Sequence, residues 1–179
     1  MAGRKDGERV IEIERLDAID PMAVEALLDR AFGPDRHRRT AYTVRGTAAP
    51  IAALSFAAIE QGGLVGSIQC WPVALSADGG AVHPLVMVGP VAVDPARQRD
   101  GIGRILVARA LAAAEAERLD GAMMLIGDSE YYGRFFGFSA TATAAWRLPG
   151  PVERHRLLAR GGRVPSAAGS LGPGAADPA

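Results

Sequence analysis

The sequence predicts a mixed α/β (α+β) domain: a central, mostly antiparallel sheet splayed at its fourth strand and flanked by about four helices. Three observations predict it. Apolar runs joined by short turn signals make consecutive hairpins in the first half of the chain. One of these runs, HPLVMVGPVAVDP, carries Gly89-Pro90 at its centre, where proline deletes a ladder donor and glycine favours a bulge. The same run then passes through a glycine-containing loop directly into an amphipathic helix.

The elements follow in order. Val10, Ile11 and Ile13 mark a first strand. Asp20-Pro21 starts a helix whose Val24, Leu27, Leu28, Ala31 and Phe32 share one face, and Gly33-Pro34 stops it. Residues Asp35 to Arg45 read as a second, more polar helix. Strands from Ile51 to Glu60 and from Leu64 to Leu75 are joined by Gln61-Gly62-Gly63, and a turn at Ser76 to Gly80 leads into the strand Pro84 to Val93. Gly103 to Leu119 is a helix that turns Ile105, Leu106, Ala110 and Leu111 to the sheet; a strand from Ala122 to Ile126 and a short helix with two tyrosines follow. From Gly161 onward Gly, Pro, Ala and Ser dominate, so the expected domain is 1–160 with an unstructured tail over 161–179.

Composition narrows the function classes. A chain of 179 residues with 49% hydrophobic content can bury a substantial core, and a formal net charge of +0 argues against general nucleic-acid or membrane-surface binding. A single cysteine allows no internal disulfide, and three scattered histidines form no ligand pattern, so no metal site is expected. The N-terminal MAGRKDGERV lacks an apolar signal core, and the expected location is a reducing cytoplasm.

The loop Gln98 to Gly103 reads Q-x-x-G-x-G between a strand and a helix. It is neither the dinucleotide fingerprint, whose third glycine would fall at Leu106, nor a P-loop. Gly101 and Gly103 allow close backbone approach, and the first turn of the following helix offers N–H groups without intrahelical partners, so the loop suits an anion such as a phosphate. Upstream, a splay at Gly89-Pro90 would leave backbone groups of Val91 and Val93 without a neighbouring strand, open to an extended ligand that carries amides. Amides at one end and a pyrophosphate at the other describe coenzyme A.

With these residues in view, the segment resembles the acetyl-CoA-binding motif of the GNAT superfamily of N-acyltransferases, whose [RQ]-x-x-G-x-[GA] is met by Gln98, Gly101 and Gly103. A second block, GAMMLIGDSEYYGRFFGFSA, resembles the family's last conserved helix with its Gly137-Phe138 ending. The resemblance covers roughly Val10 to Leu148, and the pieces LLDRAFGP, LVGSIQCWPV, VGPVAVDP and YYGRFFGF look like a bacterial subgroup of mostly unassigned substrate.

The resemblance implies acyl transfer from acetyl-CoA to an amine by direct attack in a ternary complex, without a metal. It assigns cofactor binding to Val91, Ala92 and Val93 on the strand and to Gln98, Arg99, Asp100, Gly101, Ile102, Gly103 and Arg104 in the loop and first helical turn. Val91 or Ala92 would polarise the thioester carbonyl through a backbone N–H. Tyr132, with Tyr131 second, would return a proton to the departing thiolate. Tyr132 stands five residues before Gly137, one more than the family spacing, as if a phenylalanine were added at Phe135-Phe136. Two aromatics packing a short helix onto the sheet is a reading of equal weight.

No Asp, Glu or His lies from Pro84 to Val93, and Glu60 and His83 read as surface residues at strand ends, so no general base is assigned. Cys70 reads as a small core residue. Arg97, Arg99 and Arg104 flank the loop and suit phosphate. Arg36, His37, Arg38 and Arg39 form a basic cluster that would hold an acidic acceptor or simply face solvent. A catalytically silent acyl-CoA-binding module and, from Gly127-Asp128-Ser129, a hydrolase are the alternatives; the latter lacks the D-x-x-H its family needs. Expected partners are acetyl-CoA and an unidentified amine, with a homodimer open.

Overall fold

The computed structural model describes residues 9–175. The eight strands are β1 (Ile11–Arg15), β2 (Phe56–Glu60), β3 (Gly63–Ala77), β4 (Val82–Val93), β5 (Met123–Ile126), β6 (Trp146–Arg147), β7 (Leu157–Arg160) and β8 (Gly169–Pro173). The helices are α1 (Pro21–Phe32), α2 (Thr40–Arg45), α3 (Ile102–Ala116) and α4 (Ser129–Phe136). The sheet order is β1-β2-β3-β4-β5-β7, with β8 beside both β3 and β6. All pairings are antiparallel except β4 with β5 and β6 with β8, as the mostly antiparallel expectation requires.

A one-residue bulge in β4 organises the sheet. Ile68 faces Val91 while Cys70 faces Val88, so two steps on β3 are matched by three on β4, and the extra residue falls at Gly89-Pro90. Because side chains alternate with period two, one extra residue exchanges the faces. Val86 and Val88 point to the α3 side before the bulge, and Val91 and Val93 return to that side after it. Ala92 is thereby turned to the opposite face, against Leu27 and Leu28 of α1. On the far side β4 pairs with β5 only at Val86 and Met87. Beyond Met87 the two parallel strands part, which is the splay the glycine-proline pair foretold.

Helices cover both faces. α3 packs through Leu106, Val107 and Ala110 onto β2, β3 and β4, and α1 covers the other face at the β1 end of the sheet. The Asp20 carboxylate accepts the Met22 N–H at the start of α1, as the Asp20-Pro21 signal indicated. A second apolar cluster, with Trp71, Val73, Leu75, Met124 and Trp146, fills the end of the sheet away from α1.

Three expectations are corrected. The helix expected over Asp35 to Arg45 is interrupted: a 3-10 turn at Arg36–Arg38 is followed by extended Arg39 and then α2. The turn carries the Arg36 guanidinium inward to Asp29 Oδ1 at 2.8 Å and to Glu25, which a continuous solvated helix would not do. The strand expected from Ile51 begins only at Phe56, because Ala52–Leu54 form a 3-10 turn held by Ser55 Oγ, which donates to Ile51 O at 2.9 Å.

The tail expected from Gly161 is ordered through the last described residues. β3 has 15 residues, and its edge opposite β4 is filled by β2 along one half and by β8 along the other, from Val73↔Pro173 to Ala77↔Gly169. Leu171 is buried in the second cluster, and Trp146 Nε1 donates to Pro165 O at 3.1 Å. Small residues serve here because the strand lies close to its neighbour: a Cβ on Gly169 would stand 2.6 Å from the Ser76 carbonyl oxygen. Residues 176–179 of the expected tail, and 1–8 of the expected domain, lie outside the described residues. Removing residues 169–179 is therefore expected to destabilise the protein. Exposing Leu171 and unpairing the end of β3 forfeits about 2–3 kcal/mol, and the melting temperature should fall by about 5–10 °C in a thermal unfolding scan.

Candidate active site

The gap between β4 and β5 opens into two cavities. A groove of about 490 Å³ runs from the gap to the start of α3. Its walls are Val91 and Val93 on β4, Gln98, Arg99, Gly101, Gly103 and Arg104 around the helix start, and Tyr131 and Tyr132 on α4. A cavity of about 520 Å³ lies on the other side, between the Arg36–Arg45 segment, the Met87–Val91 stretch of β4 and the loop Pro151–Arg156. Phe32, Val91 and Tyr132 line both.

One end of the groove is the uncapped start of α3. Gly101 caps α3 with φ +76°, a left-handed conformation that costs a residue with a Cβ about 1–2 kcal/mol. No side chain caps α3 and no acidic residue occupies its first turn, whereas α1 and α4 are capped by Asp20 and Asp128. The N–H groups of Ile102, Gly103 and Arg104 therefore have no intrahelical acceptor and meet the positive end of the helix dipole. Gly103 keeps the groove open beside β4: a Cβ there would touch the methyls of Val91 and Val93 at 3.8 and 3.7 Å.

The strand end of the groove offers backbone donors. Asp94 N–H donates to Val65 O at 2.8 Å across the β3 pair. Alternation along the regular pairing of 91–93 then turns the N–H of Ala92 toward β3 and those of Val91 and Val93 toward the gap. Of the two strand residues considered for polarising a carbonyl, Val91 has its N–H in the gap and Ala92 does not.

Three other sequence-selected residues support the loop from behind it. Ile102 is buried in the core. The Asp100 carboxylate receives Arg97 Nε at 2.5 Å, and its N–H donates to Arg97 O. Arg97 in turn is paired with Glu60, so this arginine fastens the loop to the end of β2 and is not free for phosphate. That pair also occupies Glu60, while His83 lines a separate depression near Arg118 and Arg163. Cys70 is fully buried, and burial pushes its thiol up to about 12.

Tyr132 is held in place by packing. Its ring lies against Phe136 and Phe138, and a Cβ on Gly127 would come within 2.6 Å of its Cε2. Burial first, and then Tyr131 and Asp128, raise its phenol to about 12 against the opposing pull of Arg156. Tyr131 borders only the groove and is less strongly raised, again by burial. The added phenylalanine is absorbed by an aromatic cluster in which Tyr131 touches Phe135 and Phe136 edge-on. Gly127-Asp128-Ser129 is simply a helix start: Asp128 Oδ1 accepts the N–H groups of Glu130 and Tyr131.

The second cavity contains residues the sequence did not single out. Tyr42 and Arg45 come from α2, and Glu153 and Arg156 come from the loop before β7. Nothing in their local pattern marks them, because they meet only when α2 and this loop close over the gap. Among the described residues no group of His, Cys, Asp or Glu is arranged to hold a metal ion, and no helix is long and apolar enough to cross a membrane.

Residues 22–138 match the model of the acetyltransferase (GNAT) family. The chain belongs to this family of acyltransferases. Among solved structures it is similar to the GNAT family N-acetyltransferase YhbS of Escherichia coli in complex with CoA, with a TM-score of 0.67 and 22% identity over 96% of this chain and 92% of that one. It is similar also to a GNAT family acetyltransferase of Brucella melitensis in complex with acetyl-CoA, with a TM-score of 0.65 and 26% identity over 94% of this chain and 99% of that one. The ribosomal-protein-S18-alanine N-acetyltransferase of Escherichia coli shares the fold at a TM-score of 0.51 and 19% identity, over 84% and 90% of the two chains. No curated protein matches this chain.

Two outcomes are expected of the site as it stands. Cys70 in the native protein should resist iodoacetamide at neutral pH and react only after denaturation; rapid native alkylation followed by mass spectrometry would contradict its burial. Gly101→Val should lower unfolding free energy by about 1–2 kcal/mol in denaturant titrations, through its backbone conformation.

Proposed function

We propose that the protein transfers an acetyl group from acetyl-CoA to an amine by direct attack within a ternary complex. The observation that carries this reading is the shared wall: Val91 and Tyr132 border both the anion-binding groove and the second cavity. A donor lying in one and an acceptor lying in the other would meet at one backbone N–H and one phenol. The coenzyme A and acetyl-CoA held by the Escherichia coli and Brucella melitensis neighbours support the choice of donor.

The groove passes a simple test of fit. It joins an uncapped helix N-terminus, the side chains of Arg99 and Arg104, and strand amides that face an opening, which are the partners a pyrophosphate and a chain of amides need. Acetyl-CoA, when bound, supplies an acyl group activated as a thioester. The first turn of α3 and the two arginines hold the phosphates, and Gln98 borders them. The Val91 N–H donates to the acyl carbonyl oxygen, where charge develops as the amine attacks.

Tyr132 donates its phenolic proton to the departing sulfur. A phenol at about 12 is a poor acid for a thiolate in water, whose conjugate acid has a pKa of about 8.5. Burial removes the mismatch. Desolvation disfavours a thiolate as it does a phenolate, so a sulfur leaving into a water-poor site beside Tyr132 becomes a stronger base and can take the proton. The attacking ammonium must first lose a proton. Glu60 is paired with Arg97 and borders neither cavity. Asp128 and Glu153, on the cavity wall, and solvent are the acceptors available.

Tyr132→Phe is expected to lower kcat by about ten- to a thousandfold while acetyl-CoA affinity stays near wild type, and Tyr131→Phe should do less. Because the phenol is protonated until well above pH 10, turnover should show no alkaline limb from this group below about pH 10.5. Steady-state kinetics with an amine panel decides the matter. Equal turnover in both variants would remove tyrosine acid catalysis, and acetyl-CoA binding without transfer to any amine would favour a silent acyl-CoA-binding domain. Gly103→Val should weaken acetyl-CoA binding by more than about tenfold in calorimetry with an unchanged melting temperature, since its methyls would narrow the groove against Val91 and Val93.

A further inference from the structure

The second cavity has more positive charge than its own acidic groups can answer. Five arginines line it, and the most deeply buried, Arg36, is neutralised by Glu25 and Asp29 from α1. Arg38, Arg39, Arg45 and Arg156 form no ion pair with any described residue. The carboxylates on the wall are Asp128, whose Oδ1 already accepts two N–H groups of α4, and Glu153, whose Oε2 lies 3.3 Å from His155 Nε2.

Arg45 is the most constrained of these cations. Its guanidinium carbon lies 3.8 Å from the ring centroids of both Tyr42 and Trp71. Rings against the guanidinium fix its plane and leave its edge, with the N–H donors, for a partner. Burial pulls it below the ordinary arginine value, the direction expected of a cation withdrawn from water. The indole N–H of Trp71 behind it is buried and has no acceptor either.

We propose that the acceptor is a small amine that carries its own oxyanion, a carboxylate or a phosphate, which Arg45 grips edge-on with Arg156 assisting. This deepens the acyl-transfer reading by naming the acceptor class, and the binding step stands apart from that reading. The oxyanion lies against Arg45 at the α2 wall, and the amine reaches the Val91 and Tyr132 junction that borders the same cavity.

The test uses the full chain saturated with CoA and a panel of paired amines: glycine, β-alanine and γ-aminobutyrate against their amides, and O-phosphoethanolamine against ethanolamine. Affinity is read by calorimetry or ligand-observed NMR, and acetyl transfer is read separately with acetyl-CoA. At least one anionic amine should bind about tenfold or more tightly than its neutral counterpart, and its class shows whether the pocket suits carboxylate or phosphate. Arg45→Met, which keeps the aliphatic stem between the rings, should abolish that preference. Arg45→Lys, which keeps the charge but loses the planar fork, should weaken it by about tenfold. Arg156→Gln, at an exposed position, should reduce it several-fold and keeps the test decisive if the Arg45 variants unfold. Equal affinity within every pair, or a preference that survives in folded Arg45→Met or, failing that, in Arg156→Gln, would overturn the proposal. Anionic amines that bind but are never acetylated would count against acyl transfer and leave the anion site standing. Efficient acetylation of neutral amines with no anionic preference would do the opposite.

Discussion

One extra residue in β4 is the constraint on which the site depends. A strand with perfect alternation would continue beside β5 and keep its backbone groups in the ladder. The bulge at Gly89-Pro90 ends that partnership after Met87 and returns Val91 and Val93 to the α3 face. The consequences are local and sequential. Two residues gain backbone groups that point into a gap, Ala92 is sent against α1, and the gap becomes the place where α4 can lay an aromatic ring. The proline at this point withholds one more donor, so pairing with a neighbouring strand is discouraged there by composition as well as by geometry.

Around the gap, ion pairs hold loops and leave the cavity surfaces with unanswered charge. Arg97 joins Glu60 to Asp100 and so anchors the loop whose glycine begins α3. Arg36 joins the turn before α2 to Glu25 and Asp29 of α1. Buried or half-buried arginines are expensive unless they are paired. These two are paired with carboxylates from other elements, and their role is to set the position of the segments that carry Arg99, Arg104 and Arg45. Charge available for a ligand is thus separated from charge used to hold the fold.

The same desolvation acts on two titratable groups packed in the core beside α3. It raises Tyr132 and Cys70 alike, and in each case the neutral form dominates at ordinary pH. For Cys70 the result is an inert core residue. For Tyr132, which lines two cavities, it is a phenol that stays protonated at a wall shared by both. The difference lies in what each group can reach and owes nothing to its acidity.

Much of the fold was legible because it rests on local rules. Asp20-Pro21 and Gly33 delimit α1 as capping chemistry requires, Gly101 opens α3 from a left-handed residue, and Gly89-Pro90 marks the splay. The groove was legible for the same reason: seven of its walls lie within one strand-loop-helix segment, at Val91, Val93, Gln98, Arg99, Gly101, Gly103 and Arg104. Ala92, Asp100 and Ile102 belong to that segment too, yet pleat and helix phase turn them away. Position in a motif does not give direction, and direction needed the register. β8 was missed because its Gly, Ser and Pro composition has no strand signature of its own; it becomes a strand only because the far half of β3 and the Trp146 cluster offer it an edge and a core. The cavity of Tyr42, Arg45, Glu153 and Arg156 was missed for a related reason. These residues are up to 114 positions apart in the sequence, and no periodicity records that α2 and the Pro151–Arg156 loop close over the same gap. The sequence by itself determined most of the elements, the splay in β4 and the uncapped start of α3, because those depend on neighbours in the chain. Tertiary structure alone decided which arginines are spent on ion pairs and which remain for a ligand, because that depends on burial and on partners brought together only by folding.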